Sequence, residues 1–306
     1  MNDNLSNLKE FNNLDLQGYA GRHPALFAYV KEAMAQPGKQ FLLVGDTKHK
    51  DTALETFLHS PALAALFNYA AIPHVAWELM RENTTQEKLD AFREKCGLHR
   101  QGLLNDDELA AAGDDFFAGA PETKRAFLHK NLSGFMRAGL RATPADSVQW
   151  RDGTPHNAER VFLGDREVAS YISRIAAGDK TAVVYGAAHF YYNDSMGTRF
   201  GRDKCVHVDI YSSREIYEEV KNSGKLYVDF MPDKVYFLKE RELAEPDSSV
   251  YFAAREKEND EAQGWKENIA RMYGLDAPIF TKANALMNYV QRMPGMDNEW
   301  FDFIPG

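Results

Sequence analysis

The chain has 306 residues, 44% of them hydrophobic, 26% charged and 12% aromatic. That balance excludes collagen-like, low-complexity and disordered classes, and the length suits one large α/β domain or two small ones. Its 36 basic residues against 45 acidic give a net charge of −9, a field that repels phosphate backbones and anionic lipid, so no nucleic-acid partner is expected. The two cysteines, Cys96 and Cys205, lie far apart and outside any CxxC or Cys/His cluster, which excludes a disulfide framework or zinc finger and fits a reduced compartment.

The first 17 residues carry neither the basic segment nor the apolar core of a signal peptide, and no later stretch reaches the roughly 18 apolar residues of a membrane span. No membrane span is expected. A cytoplasmic location follows, with signal-less export through a specialised secretion system as the other route.

Residues 1–20, rich in Asn, Asp and Leu without periodicity, read as a partly disordered arm ahead of a single domain over 21–306. Leu26, Phe27, Val30 and Met34 predict a helix over 24–35, stopped by Gln36-Pro37-Gly38. Phe41 to Val44, ending in Gly45-Asp46, has the look of a parallel strand buried on both faces. Thr52 to Ala71 is its returning helix, broken at Pro61, and Val75 to Leu79 is the next buried strand. Residues 85–142 read as helical, with loops at 97–102 and 113–119 and a longer helix over 122–141, a helical insertion over about 85–145. There Leu128, Leu132, Phe135 and Gly139 form a stripe of core packing.

After a polar link at 150–158, Val168, Ile172 and Ile175 predict a helix over 164–177 with Asp165 in its first turn. Thr181 to Tyr185 is a third apolar strand, running at once into Gly186-Ala187-Ala188-His189. Val206, Val208 and Ile210 alternate with His207, Asp209 and Tyr211, a strand with one polar face, before a helix over 213–222. Leu226–Phe230 and Val235–Leu238 read as a hairpin about Met231-Pro232-Asp233-Lys234, both edge candidates. Arg255 to Gln263 is a solvated charged run, and Asn284 to Gln291 the last helix before the Phe301-Asp302-Phe303 tail. The fold class is α/β: a mostly parallel central sheet flanked by helices, with a helical insertion and a C-terminal β-hairpin.

Three apolar strands deliver an ionisable residue at or just past their carboxyl ends: His49, Glu78 and His189. In open α/β sheets ligands bind outside that edge. A carboxylate within Val75 to Met80 is costly if buried alone. Glu78 therefore either ends its strand in solvent or takes a partner: Arg166, a protonated histidine, or a metal held with His49 and His189. In Gly45-Asp46-Thr47-Lys48-His49, Gly45 permits a sharp turn and Asp46 can orient the imidazole or cap the next helix. His49 and His189 each have an ordinary reading as well, as surface or strand-end groups. His207 with Asp209 can meet a metal by the two-residue period, although an exposed polar face explains the pair more simply. His59 and His129 fall in helices, His99 and His156 in loops, and His74 ahead of a strand; all read as structural. No Walker loop, GxGxxG, HExxH or GxSxG motif is present.

In order and spacing these pieces resemble the erythromycin-esterase, ChaN-like and TraB/Tiki superfamily. Gly45-Asp46-Thr47-Lys48-His49 is similar to its Gly-Glu-x-x-His motif, and Trp77-Glu78-Leu79 to the strand-end glutamate that follows. Asp165-Arg166-Glu167-Val168-Ala169 is similar to the Arg-Asp-Arg-x-Met-Ala helix start, and Gly186-Ala187-Ala188-His189 to the second, Gly-x-x-His, motif. The resemblance spans residues 40–80 and 160–190; Asp46 replaces the usual glutamate, and Gly164 stands where an arginine is expected.

The resemblance implies a cleft at the carboxyl edge and hydrolysis of an ester or peptide, a small-molecule or peptide substrate. Water is activated by His49, assisted by Asp46 and Glu78, while Arg166 and His189 stabilise the developing anion. It also implies a divalent metal (Mn or Zn) on His49, Glu78 and His189, or alternatively haem. The other reading is a non-catalytic haem-, metal- or ligand-binding protein, or a secreted effector, of the same fold.

Overall fold

The computed structural model describes residues 8–48, 51–80, 85–118, 131–146, 165–191, 195–223 and 230–251. Seven strands, β1 (Phe41–Asp46), β2 (His74–Met80), β3 (Arg141–Asp146), β4 (Thr181–Gly186), β5 (Cys205–Tyr211), β6 (Lys234–Phe237) and β7 (Glu242–Ala244), form one sheet in the order β3-β2-β4-β1-β5-β6-β7. All pairings are parallel except β6 with β7, which is antiparallel. The fold is therefore α/β with a mostly parallel sheet flanked by helices and a short antiparallel pair at its end.

The apolar runs of β1, β2, β4 and β5 are continuous because the sheet is covered on both faces. Leu42, Val44, Val75, Trp77, Ala182, Val184, Val206 and Val208 point to a first face. There they meet α1 (Lys9–Asn12), α3 (Pro24–Ala35), α4 (Thr52–Leu58), α5 (Pro61–Tyr69), α6 (Gln86–Arg100), α7 (Asp106–Phe116) and α8, over 131–137; the short α2 (Leu16–Arg22) joins α1 to α3. Phe41, Leu43, Ala76, Val183, Tyr185 and Cys205 point to the opposite face, under Val168, Ala169, Ile172 and Ala176 of α9 (Asp165–Ala176) and Met196 and Phe200 of α10 (Met196–Phe200). The break foreseen at Pro61 is built as two caps: Asp51 accepts from Ala53 and Leu54 N–H at the start of α4, and Ser60 accepts from Ala62 N–H with Pro61 in the first turn of α5.

The structure corrects several expectations. The arm is helical at α1 and α2, and Leu8 and Phe11 are buried in the core, so aromatic burial rather than periodicity orders it. His99 lies within α6, not in a loop. Where the long helix was expected to run to 141, it stops at 137, and Arg141–Asp146 is an edge strand. Pro144 is tolerated there because, among the described residues, β3 pairs with β2 alone. The hairpin partner of β6 is β7, with the turn at Arg241 (φ 56°); residues 226–229, like the Arg255 run, the Asn284 helix, Leu128, His129, His156 and the tail, lie outside the described residues.

His74 opens β2 and is bracketed by the hydroxyls of Thr143 on β3 (3.0 Å from Nε2) and Thr181 on β4 (3.3 Å from Nδ1). Burial, then the charge of Arg141, pushes its pKa from 6.5 down to about 4. The folded imidazole stays neutral while the unfolded chain takes up a proton below 6.5, so stability falls as pH drops from about 6.5 to about 4. The share due to His74 is on the order of 3 kcal/mol. Urea unfolding of wild type and His74→Asn at pH 7 and pH 4 is expected to show a shallower pH dependence in the variant; equal slopes would contradict this assignment.

Candidate functional site

The second face at the carboxyl edge collects the ionisable groups. Near the carboxyl end of β2, where the pairing with β3 is irregular between Trp77 and Met80, Glu78 turns its carboxylate towards the end of β4. β4 ends at Gly186 and passes into a 3₁₀ turn, Ala187–Phe190, that carries His189. The apolar stripe of α9 seats that helix on the same face, so its first residue, Asp165, is buried against the turn.

Asp165 Oδ1 lies 2.5 Å from His189 Nδ1. A carboxylate only accepts, so Nδ1 carries a proton and Nε2 is the ring nitrogen turned away from Asp165. That nitrogen faces Glu78 Oε1 at 3.7 Å, while Glu78 Oε2 accepts a hydrogen bond of 2.7 Å from the Gly186 backbone N–H. Tyr185 meets the imidazole edge-on at 5.2 Å between centroids and donates its hydroxyl to Ala145 O at 2.8 Å, closing the far side. The His189 and Glu78 side chains keep only 9% and 12% exposure. The strand-end carboxylate therefore does not end in solvent: a backbone amide and an imidazole face it.

A second buried group of polar side chains holds the turn in place. Asp209, 0% exposed, receives hydrogen bonds from Tyr191 (2.6 Å) and Tyr251 (3.0 Å) on Oδ2 and contacts His207 Nε2 at 2.9 Å on Oδ1. Tyr211 reaches the Tyr251 hydroxyl at 3.3 Å. Burial first, and neighbouring Asp209 and tyrosines after it, push the Tyr211 and Tyr251 phenols well above their ordinary range, so they stay protonated and able to donate. The exposed polar face expected of β5 is thus a fully buried network. Gly45 is a glycine for the same reason: a Cβ there would lie 2.2 Å from Asp209 Oδ1 and 3.0 Å from Ala187 Cβ. The need is close approach rather than a left-handed turn.

Of the residues singled out from sequence, Glu78 and His189 are brought together. Asp46 stands partly buried at the end of β1 and accepts from Lys48 N–H at 3.1 Å. Arg166 is exposed on α9, one residue beyond the buried Asp165, and His49 lies outside the described residues. Among the described residues no group of three or more His, Cys, Asp or Glu side chains is placed to hold a metal ion, and His189 Nδ1 is already committed to Asp165. The Nδ1 bond to a carboxylate leaves Nε2 as the ring nitrogen a metal would take, and of the three residues expected to hold one, Glu78 and His189 stand together. Sequence reasoning paired Asp209 with His207, which do meet, but missed Asp165, Tyr191 and Tyr251 as partners; Asp165 had a signal, its place beside Arg166 in the helix-start motif.

No family model matches the chain, and no curated protein matches it. Among solved structures the chain is similar to that of the type III effector HopBA1, at 15% identity over 62% of this chain and 82% of that one, with a TM-score of 0.40. A likeness of that size carries no argument about function. Among the described residues no helix is long and apolar enough to cross a membrane.

Proposed function

We propose that the chain is a hydrolase of the erythromycin-esterase, ChaN-like and TraB/Tiki kind, acting on an ester or peptide, with His189 as the base that activates water. The observation that supports this is the line Asp165, His189, Glu78 at the carboxyl edge of the sheet, with Nε2 of the imidazole facing Glu78. Nε2 takes a proton from a water as its oxygen adds to the substrate carbonyl carbon; the tetrahedral adduct then expels the alcohol or amine, which receives that proton back. Asp165 holds the required tautomer, and the charges of Asp165 and Glu78 favour the transient imidazolium. Arg166 takes no part in this step, and the resemblance gives the place of general base or metal ligand to His49, which lies outside the described residues.

The test is hydrolysis of a panel of p-nitrophenyl esters and short peptides by the full chain. Wild type is expected to turn over at least one, and His189→Gln and Glu78→Gln to lose at least about 100-fold in rate with an unchanged unfolding midpoint. A wild-type protein inert across the panel, or full rates in His189→Gln, would remove the proposal.

A further inference from the structure

On the first face, α8 carries a charge that has no counter-charge in contact among the described residues. Arg137 is 0% exposed. Its Nε donates to Asn12 Oδ1 of α1 at 2.9 Å, and both terminal amino groups are buried with no hydrogen-bond partner among the described residues. Asp106 is near enough for its charge to favour the guanidinium, but its carboxylate is engaged at 2.6 Å by His99 Nε2 of α6. The other neighbour felt electrostatically is Cys96 of α6, whose thiol burial pushes up to about 12 and which is therefore neutral. Asn131, on the same helix and 1% exposed, also has both side-chain polar atoms buried without a partner.

Buried polar groups in proteins are almost always satisfied, and an exception points to a bound water or ion. Arginine cannot escape by giving up its proton. Water would satisfy its hydrogen bonds but not its charge. Because Nε is spent on Asn12, the unpaired edge is the end-on fork of two amino groups, a shape that takes two oxygens of one carboxylate or phosphoryl group. We infer that α1, α6 and α8 enclose an anion site in which Arg137 grips two oxygens of a carboxylate or phosphoryl group. The bound anion fastens α1 to α8 through the Asn12 contact and takes no part in the chemistry at the opposite face.

The experiment is thermal unfolding of the full chain at constant ionic strength, with chloride exchanged for inorganic phosphate or for acetate. A saturable rise in midpoint with either anion is expected in wild type, since a ligand of the folded state alone shifts unfolding by mass action. The rise is expected to vanish in Arg137→Met, which keeps the apolar stem. A response to phosphate alone identifies a phosphoryl site, and a response to acetate alone a carboxylate site. In Arg137→Lys, which keeps the charge and loses the fork, apparent affinity is expected to fall at least tenfold; that variant carries the comparison if the methionine variant does not fold. No rise in wild type with either anion, or an equal rise in the Arg137 variants, overturns the site.

Discussion

Replacing Asp209 with alanine is expected to lower the unfolding free energy by about 3–5 kcal/mol, the cost of removing one member of a buried polar set and stranding the rest. The Tyr191 and Tyr251 hydroxyls and His207 Nε2 all converge on this carboxylate. Urea unfolding gives the magnitude, and amide exchange at Phe190 and Tyr191 shows whether the turn bearing His189 loosens with it. A loss under about 1 kcal/mol would mean that the three partners find other acceptors. Gly45→Ala offers an internal control. Alone it is expected to cost about 1–3 kcal/mol through overpacking, because the new methyl falls 2.2 Å from Asp209 Oδ1. In the Asp209→Ala background most of that cost should disappear, so the pair should be strongly non-additive. Additive losses would place the Gly45 constraint at Ala187 instead.

Asp165→Asn is expected to reduce hydrolysis by about 10⁴-fold while leaving the fold intact, because an amide can donate to Nδ1 and move the ring proton to the nitrogen that must act as base. The separation of roles is testable without substrate. Nitrogen NMR of His189 is expected to show a protonated Nδ1 in wild type and a shift towards protonated Nε2 in the variant. Retained tautomer and rates within tenfold of wild type would reduce Asp165 to a packing partner.

The central strands were legible because burial on both faces leaves unbroken apolar runs such as Phe41 to Val44 and Thr181 to Tyr185. β3 was not: Arg141-Ala142-Thr143-Pro144-Ala145-Asp146 has few apolar side chains and a proline, which an edge position accepts and a sequence window cannot see. Alternation in β5 correctly separated its two faces but not their exposure, since what covers His207 and Asp209 is supplied by Tyr191 and Tyr251 from elsewhere in the chain. Glu78 and His189 stood out as ionisable groups at strand ends. Their link to Asp165 depends on how α9 lies across the sheet, a tertiary fact that no local spacing encodes.

The shared acceptor on β5 also ties the last described helix to the turn that bears His189. Tyr251, in the last described helix, α11 (Ser248–Tyr251), reaches the same carboxylate oxygen as Tyr191, two residues beyond His189. Proteolytic clipping just ahead of that tyrosine would therefore be felt at the imidazole through two hydrogen bonds, with Asp165, His189 and Glu78 themselves still in the chain.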